Sequence, residues 1–193
     1  MPTDQLRQTG RPLDNDLTER ILRETLESLL SGGYVNLKIE RIASAVECGK
    51  TAIYRRWPTR AALAAAAIER EMAVGAMPDS GEVAEDLAQH ALQNSGNYGS
   101  STIRNHGIWG SLVDPEVRAL LKDGYIHVRR QRGLELLERG VSRGQLAPDA
   151  DLDLILDLMA GMTMYRNLVR DEPLLPQHYR AAAAALVSSP PRI

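Results

Sequence analysis

The stretch VECGKTAIYRRWPTR, Val46 to Arg60, interrupts a helical pattern with a glycine, sets Tyr54, Arg55, Arg56 and Trp57 in a row, and then meets Pro58. Proline lacks an amide proton and pushes the residue before it out of the helical region, so a helix opening near Lys50 must end by about Arg56. Just upstream, Ile39, Ile42 and Ala43 recur at helical spacing over about 38–46, which leaves Glu47 to Gly49 as a tight turn. Two short helices joined by a three-residue turn, the second rich in basic and hydroxyl groups, have the form of a helix-turn-helix. An ordinary helical hairpin with a solvated charged face has the same spacing, and spacing alone does not separate the two.

Working outward, Leu17, Ile21, Leu22, Leu26, Leu29 and Leu30 predict a preceding helix capped by Asp14 or Asp16 and closed by the SGGY sequence at 31–34. Thr59 is placed to cap a further helix that runs to the breaker-rich GAMPDSG at 75–81. A helix over about 82–93 follows, then NSGNYGSS at 94–101 as a flexible break and a short element over about 102–112. Asp114 and Pro115 form a start signal for a long helix that stops at Gly144. The next helix, DLDLILDLMAGMTMYRNLV, is apolar around more than half its circumference and is expected to be covered on several sides. An alanine-rich helix over about 177–188 is last, and the SSPPRI tail is expected to be disordered. The chain reads as all-α, because Ala, Leu, Arg and Glu abound and Phe is absent.

The formal net charge of −2 does not mark a polycation, but its distribution does mark one segment. Lys38, Arg41, Lys50, Arg55, Arg56 and Arg60 face only Glu40 and Glu47 across 38–60, a local +4 that leaves −6 for the rest. A basic segment on an acidic body suits a protein that touches a polyanion with one end. The single Cys48 rules out an intramolecular disulfide and a thiolate cluster, and is read as a small buried hydrophobe. With no signal-peptide core at the start and no apolar run long enough to span a bilayer, the expectation is a soluble cytoplasmic protein that engages no membrane. His90, His106, His127 and His178 form no ligand motif with one another, so structural or surface roles are expected and no metal. No nucleophile elbow, phosphate loop or dinucleotide fingerprint occurs, which argues against an enzyme and implies no cofactor.

The segment LKIERIASAVECGKTAIYRRWPTRAAL resembles the DNA-binding region of the tetracycline-repressor (TetR) family of bacterial regulators. That family ends its recognition helix on an Ile-or-Leu plus Tyr pair and opens the next helix on a basic residue. The likeness covers about 11–70, and continues more loosely through DPEVRALL, LLERGVSRGQL and MTMYRNLVRDEPL, which are similar to one actinobacterial-style branch. It implies an N-terminal arm and helix-turn-helix over 1–58, followed over 59–193 by a connecting helix and a helical ligand-binding and dimerisation domain. Lys38, Arg41, Lys50, Thr51, Ala52, Tyr54, Arg55, Arg56 and Arg60 form the expected DNA-binding set. Lys50 and Thr51 start the helix end that enters the major groove, Tyr54 offers a hydroxyl for a phosphate, and Arg55, Arg56 and Arg60 offer charge-assisted bonds to backbone or guanine edges. Arg56 is expected nearer the DNA, Arg55 toward solvent or the first helix. Ile53 should anchor the helix to Ile42 and Leu26, and Trp57 should pack beneath the next helix.

Two positions depart from the family pattern: Glu47 stands where Gly is usual in the turn, and Gly49 where a Ser or Thr cap is usual. Either Gly49 takes the unusual dihedral, or Glu47 does at a cost on the order of 1 kcal/mol. For the body, the resemblance implies a small-molecule effector pocket approached by Trp109, Leu112, Tyr125, Met159, Met162 and Tyr165, with His90, Asn94, His106 or Arg129 as polar groups. It further implies a homodimer through the last two helices and a double-stranded operator with an inverted repeat. The expected function is a ligand-released repressor. An activator or ligand-independent regulator with the same DNA module is the first alternative, and a helical carrier or enzyme the remoter one.

Overall fold

A computed structural model describes residues 15–72, 74–99, 110–170, 172 and 174–192, with only the backbone described at 94–99 and 168. Helix α1, Asn15–Gly32, buries Ile21, Leu22, Leu26 and Leu29 on one face, and Gly33 closes it with φ 69°. A 3-10 turn at Tyr34–Asn36 leads to α2, Ile39–Ala45, and α3, Lys50–Tyr54. Helix α4, Arg60–Glu71, is capped as expected, Thr59 accepting the Ala62 amide at 3.0 Å. Helix α5 is Val83–Gly99, α6 is Pro115–Leu121, α7 is His127–Ser142, α8 is Leu152–Leu168 and α9 is Pro176–Ser188. Among the described residues the only β-type pairing is an isolated bridge.

Two apolar clusters organise these helices. The first joins α1 to α4 around Leu29, Ile42, Ile53, Leu63 and Ile68, and takes in Val117 and Leu121 of α6. Trp57 packs against this cluster, and so does the half-buried Cys48. The buried alanines of α4, among them Ala61, Ala64 and Ala67, suit its contacts with both α1 and α6. The second cluster joins α5, α7, α8 and α9 around Leu87, Leu136, Leu137, Ile155 and Tyr179.

The structure departs from the sequence reading in several places. Helix α4 ends at Glu71, short of the breaker segment. The residues read as a flexible break continue α5 to Gly99, because extending an existing helix needs no new nucleation even where glycine is unfavourable. Most of the short element over 102–112 lies outside the described residues. The long helix from Pro115 is broken at Lys122–Ile126, where Gly124 has φ −94° and ψ −111°. The tail is docked rather than disordered: Pro191 accepts the Asp151 amide at 2.8 Å, Ala150 bridges Arg192, and Arg192 pairs with Asp149 at 2.9 Å. Prolines donate nothing but still accept, and so the tail can hold an edge contact.

The turn between α2 and α3 resolves the question at Glu47 and Gly49. The Cys48 amide reaches the Ala43 carbonyl at 2.9 Å, the closure of a helix whose next residue is left-handed. That residue is Glu47, φ 54°, while Gly49 is extended at φ −77° and caps α3 without a side-chain bond. Glu47→Gly is therefore expected to stabilise the protein by up to about 1 kcal/mol, read as a raised denaturation midpoint at fixed protein concentration. A lowered midpoint would contradict this account of the turn.

Candidate nucleic-acid interface and the cavity behind it

Helix α3 is anchored through Ile53, which is fully buried in the first cluster, so its opposite face is free to meet another molecule. Lys38, Arg41, Lys50, Thr51, Tyr54, Arg55 and Arg60 are exposed, and Ala52 is half-buried. Lys50 reaches back to Glu40 at 3.1 Å. A backbone hydrogen bond first, and Lys50 second, hold the Glu40 carboxyl below the usual carboxylate range. An exposed pair of this kind contributes little, so a phosphate can displace it.

The arginines divide differently from the sequence reading. Arg56 turns inward, its Nε donating to Thr18 Oγ1 on α1 at 3.0 Å and its guanidinium also to the Ala52 carbonyl at 2.8 Å. Arg55 is exposed to solvent, one of the two placements expected for it, and Arg56 rather than Arg55 is the arginine that reaches the first helix. Both lie past the last regular turn of α3, where the chain bends toward Pro58 and swings Arg56 back over α1. Arg60 lies over the Tyr34 ring, 4.3 Å from its centroid, and reaches the Leu37 carbonyl at 3.5 Å. It steadies the turn before α2 as well as adding to the positive surface. Arg20, not singled out in the sequence, ties α1 to the turn through the Val46 carbonyl at 2.7 Å.

Behind this module a cavity of about 420 Å³ opens among α5, α6, α7 and α8. His90, Leu112, Tyr125, Arg129 and Met159 of the expected set line it, while Asn94 has no described side chain and His106 and Trp109 lie outside the described residues. Met162 and Tyr165 do not line it. On α8 the lining arc runs from Met159 through Leu156 and Ala160 to Thr163 and Met164, and at 100° per residue Met162 and Tyr165 fall on the other side. Leu87, Ala91, Arg118, Ile126 and Arg130 also contribute and were missed. The helical repeat from Met159 would have found Thr163; Ile126 lies in the break around Gly124.

The break also joins the cavity to the basic module. It leaves the Tyr125 amide outside the regular helix, and Glu69, near the end of α4, accepts it at 3.1 Å. A side chain at 124 would collide with the Glu69 carboxylate, so the glycine permits this close approach. At the other end of α4 the Thr59 hydroxyl donates to Glu116 at 2.8 Å.

Within the cavity, Arg129 is only 6% exposed, and its guanidinium donates to the His90 carbonyl at 2.6 Å and the Val74 carbonyl at 3.3 Å. Arg130 pairs with Asp153 at 2.6 Å and Asp157 at 2.8 Å. Burial, and then the neighbouring Arg129 and Arg132, push the His90 imidazole down to about 4, so it is neutral at neutral pH. Among the described residues no His, Cys, Asp and Glu group is arranged to hold a metal, and no helix is long and apolar enough to cross a membrane.

A basic helix-turn-helix on an acidic helical body defines a DNA-binding regulator of transcription. The chain belongs to the TetR family: 21–67 match the model "Bacterial regulatory proteins, tetR family", and 77–187 match "Tetracyclin repressor-like, C-terminal domain". It is similar to the uncharacterised HTH-type transcriptional regulator YdeS of Bacillus subtilis, 26% identical over 89% of this chain and 88% of the relative. It is also 29% identical to the uncharacterised regulator Rv1556 of Mycobacterium tuberculosis, over 79% of this chain and 77% of that one. Among solved structures, the TetR-family regulator SCO0332 is 27% identical with a TM-score of 0.59, covering 90% of this chain and 97% of its own. FadR of Bacillus subtilis, solved with stearoyl-CoA, shares the fold at 15% identity and a TM-score of 0.67, covering 89% of this chain and 98% of its own. These relatives are regulators, not enzymes.

The buried histidine has a consequence for stability. His90 takes up its proton near 6.5 in the unfolded chain but only near about 4 when folded. Between those values the unfolded state binds the extra proton, so stability is full above the window and falls as pH drops through it. At pH 5 the loss from this group is on the order of 2 kcal/mol. His90→Gln should lose less stability by about that amount between pH 7 and pH 5, measured by denaturant unfolding at constant concentration.

Proposed function

We propose that the protein is a homodimeric repressor in the cytoplasm that binds an inverted-repeat operator and releases it when a small effector enters the cavity. The observation that carries this is the pairing of an exposed, basic α3 with a cavity whose wall, at Tyr125, is hydrogen-bonded to the rod leading back to α3. The FadR neighbour, crystallised with stearoyl-CoA, supports a ligand in this half of the fold.

An uncovered face supports the dimer. Leu154, Leu158, Gly161 and Tyr165 form one stripe of α8, and Leu158 and Tyr165 are 46% and 56% exposed in the single chain. Exposed Ala181, Ala184 and Ala185 on α9 allow close approach of a second pair of helices. Two copies packed through these faces make a four-helix bundle about a two-fold axis. Such a dimer presents two α3 helices, which must lie about 34–36 Å or a multiple of a turn apart to enter major grooves on one side of the duplex.

Release requires that the ligand favour an arrangement in which those helices are spaced differently. Entry of a ligand against Tyr125 and Ile126 shifts the break, and the Glu69 bond passes the shift to α4. Ligand identity aside, the same geometry serves an activator; deletion of the gene separates the two by whether neighbouring transcripts rise or fall.

Gel-shift titrations of single variants test the interface. Arg55→Ala is expected to weaken binding to specific and scrambled duplexes alike and to flatten the salt dependence by about one unit. Lys50→Ala or Thr51→Ala should cost about 1 to 3 kcal/mol at particular base pairs. Arg56→Ala should act mainly through stability, by releasing Thr18. Leu158→Asp should give a monomer in sedimentation and lose the operator. A folded triple variant of Lys50, Tyr54 and Arg55 to alanine with wild-type operator affinity would overturn the assignment of α3.

A further inference from the structure

We infer that Glu40 is a specificity-determining residue of the interface: it holds Lys50 for a base edge in the major groove and withholds it from the phosphates of unrelated sequences. The inference rests on the reading of α3 as the recognition helix, and gives a role in that reading to a carboxylate on α2.

Glu40 lies in the first turn of α2, and Lys50 opens α3. Their ion pair, 3.1 Å long with both side chains more than half exposed, joins the two helices at the surface, whereas Ile42 and Ile53 of the same helices are fully buried. Among the described residues, Lys50 is the basic side chain of 38–60 that has an ion pair, and it is the one that starts the recognition helix. A backbone hydrogen bond anchors the Glu40 carboxylate on α2, and this bond, ahead of Lys50, keeps it ionised. Lys50, with four rotatable carbons, is the partner that moves.

The chemistry of the ammonium makes the pair selective. It carries three donors, and with one given to Glu40 two are left, the number that O6 and N7 of a guanine accept in the major groove. The pair therefore survives a base contact. A phosphate contact is different, because the first helix of this motif crosses the DNA backbone, and a phosphate that reaches Lys50 also meets the Glu40 carboxylate beside it. Lys50 must then exchange one anion for another with little net gain, since an exposed pair and an exposed phosphate contact are of similar strength. That cost falls on unrelated sequences, where phosphates are the main partners, more than on a site that offers Lys50 a base. Lys38 and Arg41, exposed to either side of Glu40 along the chain, still supply sequence-independent attraction.

The test is fluorescence-anisotropy titration of the full chain, over a range of salt, with a duplex selected from a random library and a scrambled duplex of the same composition. Glu40→Gln, a near-isosteric change at an exposed position, is expected to tighten the scrambled duplex about fivefold and the selected duplex less than about twofold. On the scrambled duplex the salt dependence should steepen by about one unit, as Lys50 takes up a phosphate. Glu40→Ala is the second variant, with the same expectation, and circular dichroism checks the fold of both. In a Lys50→Met background, Glu40→Gln should shift the two duplexes alike and leave their affinity ratio within about twofold. An unchanged preference in Glu40→Gln and Glu40→Ala would overturn the inference. So would a loss of preference as large with Lys50→Met as without it, which makes Glu40 a general negative charge. Weakening of the selected duplex alone would also overturn it, by making Glu40 itself a reader of bases. An unaltered chain that binds both duplexes equally removes the reading of α3 on which the inference stands, a result distinct from these three.

Discussion

The hydrogen bond from the Tyr125 amide to the Glu69 carboxylate ties the wall of the cavity to the end of α4. A break in a helix leaves backbone groups without partners, and a charged acceptor is well suited to satisfy one of them. Gly124 makes room for that acceptor. Because α4 is also bound at its start, Thr59 to Glu116, helix α6 is clamped along it, with Val117 and Leu121 buried in the core of the basic module. The cavity-lining Tyr125 and Ile126 therefore sit one residue from the rod that carries α3.

Most of the described arginines brace the protein itself rather than face nucleic acid. On α7, Arg129, Arg132 and Arg139, and just past its end Arg143, strap the segment after α4 by bonds to the Val74, Gly75 and Pro78 carbonyls and to Asp79. Arg143 holds the Asp79 carboxyl below its usual range. Arg20, Arg56 and Arg60 brace the helix-turn-helix from within. What remains exposed on the module, with Lys38, Arg41, Lys50 and Arg55, is positive charge on an otherwise acidic protein.

The helix-turn-helix was legible because its signals are local: Pro58 ends α3, Thr59 caps α4, and Ile53 is the apolar residue of a short basic helix. The roles of Arg56 and Arg60 were not, since their partners Thr18 and Tyr34 lie well back along the chain. The break at Gly124 was read through as part of one long helix, and the carboxylate that stabilises it lies 56 positions before Tyr125. The tail illustrates the same limit, its docking resting on pairings with Asp149, Ala150 and Asp151 that no local pattern encodes. In the cavity, His90, Leu112, Tyr125, Arg129 and Met159 of the expected set line the wall, while Met162 and Tyr165 lie at another helical phase of α8.

The central proposal is that, in a homodimer, the body governs the spacing of the two recognition helices through the Glu69 contact. It is tested most directly by the operator affinity of Glu69→Ala at a concentration where sedimentation shows the variant still dimeric. With the junction loosened, the two α3 helices must be ordered at the expense of binding, and an affinity about tenfold weaker with an unchanged salt slope is predicted. An operator affinity equal to that of the unaltered protein would contradict the account.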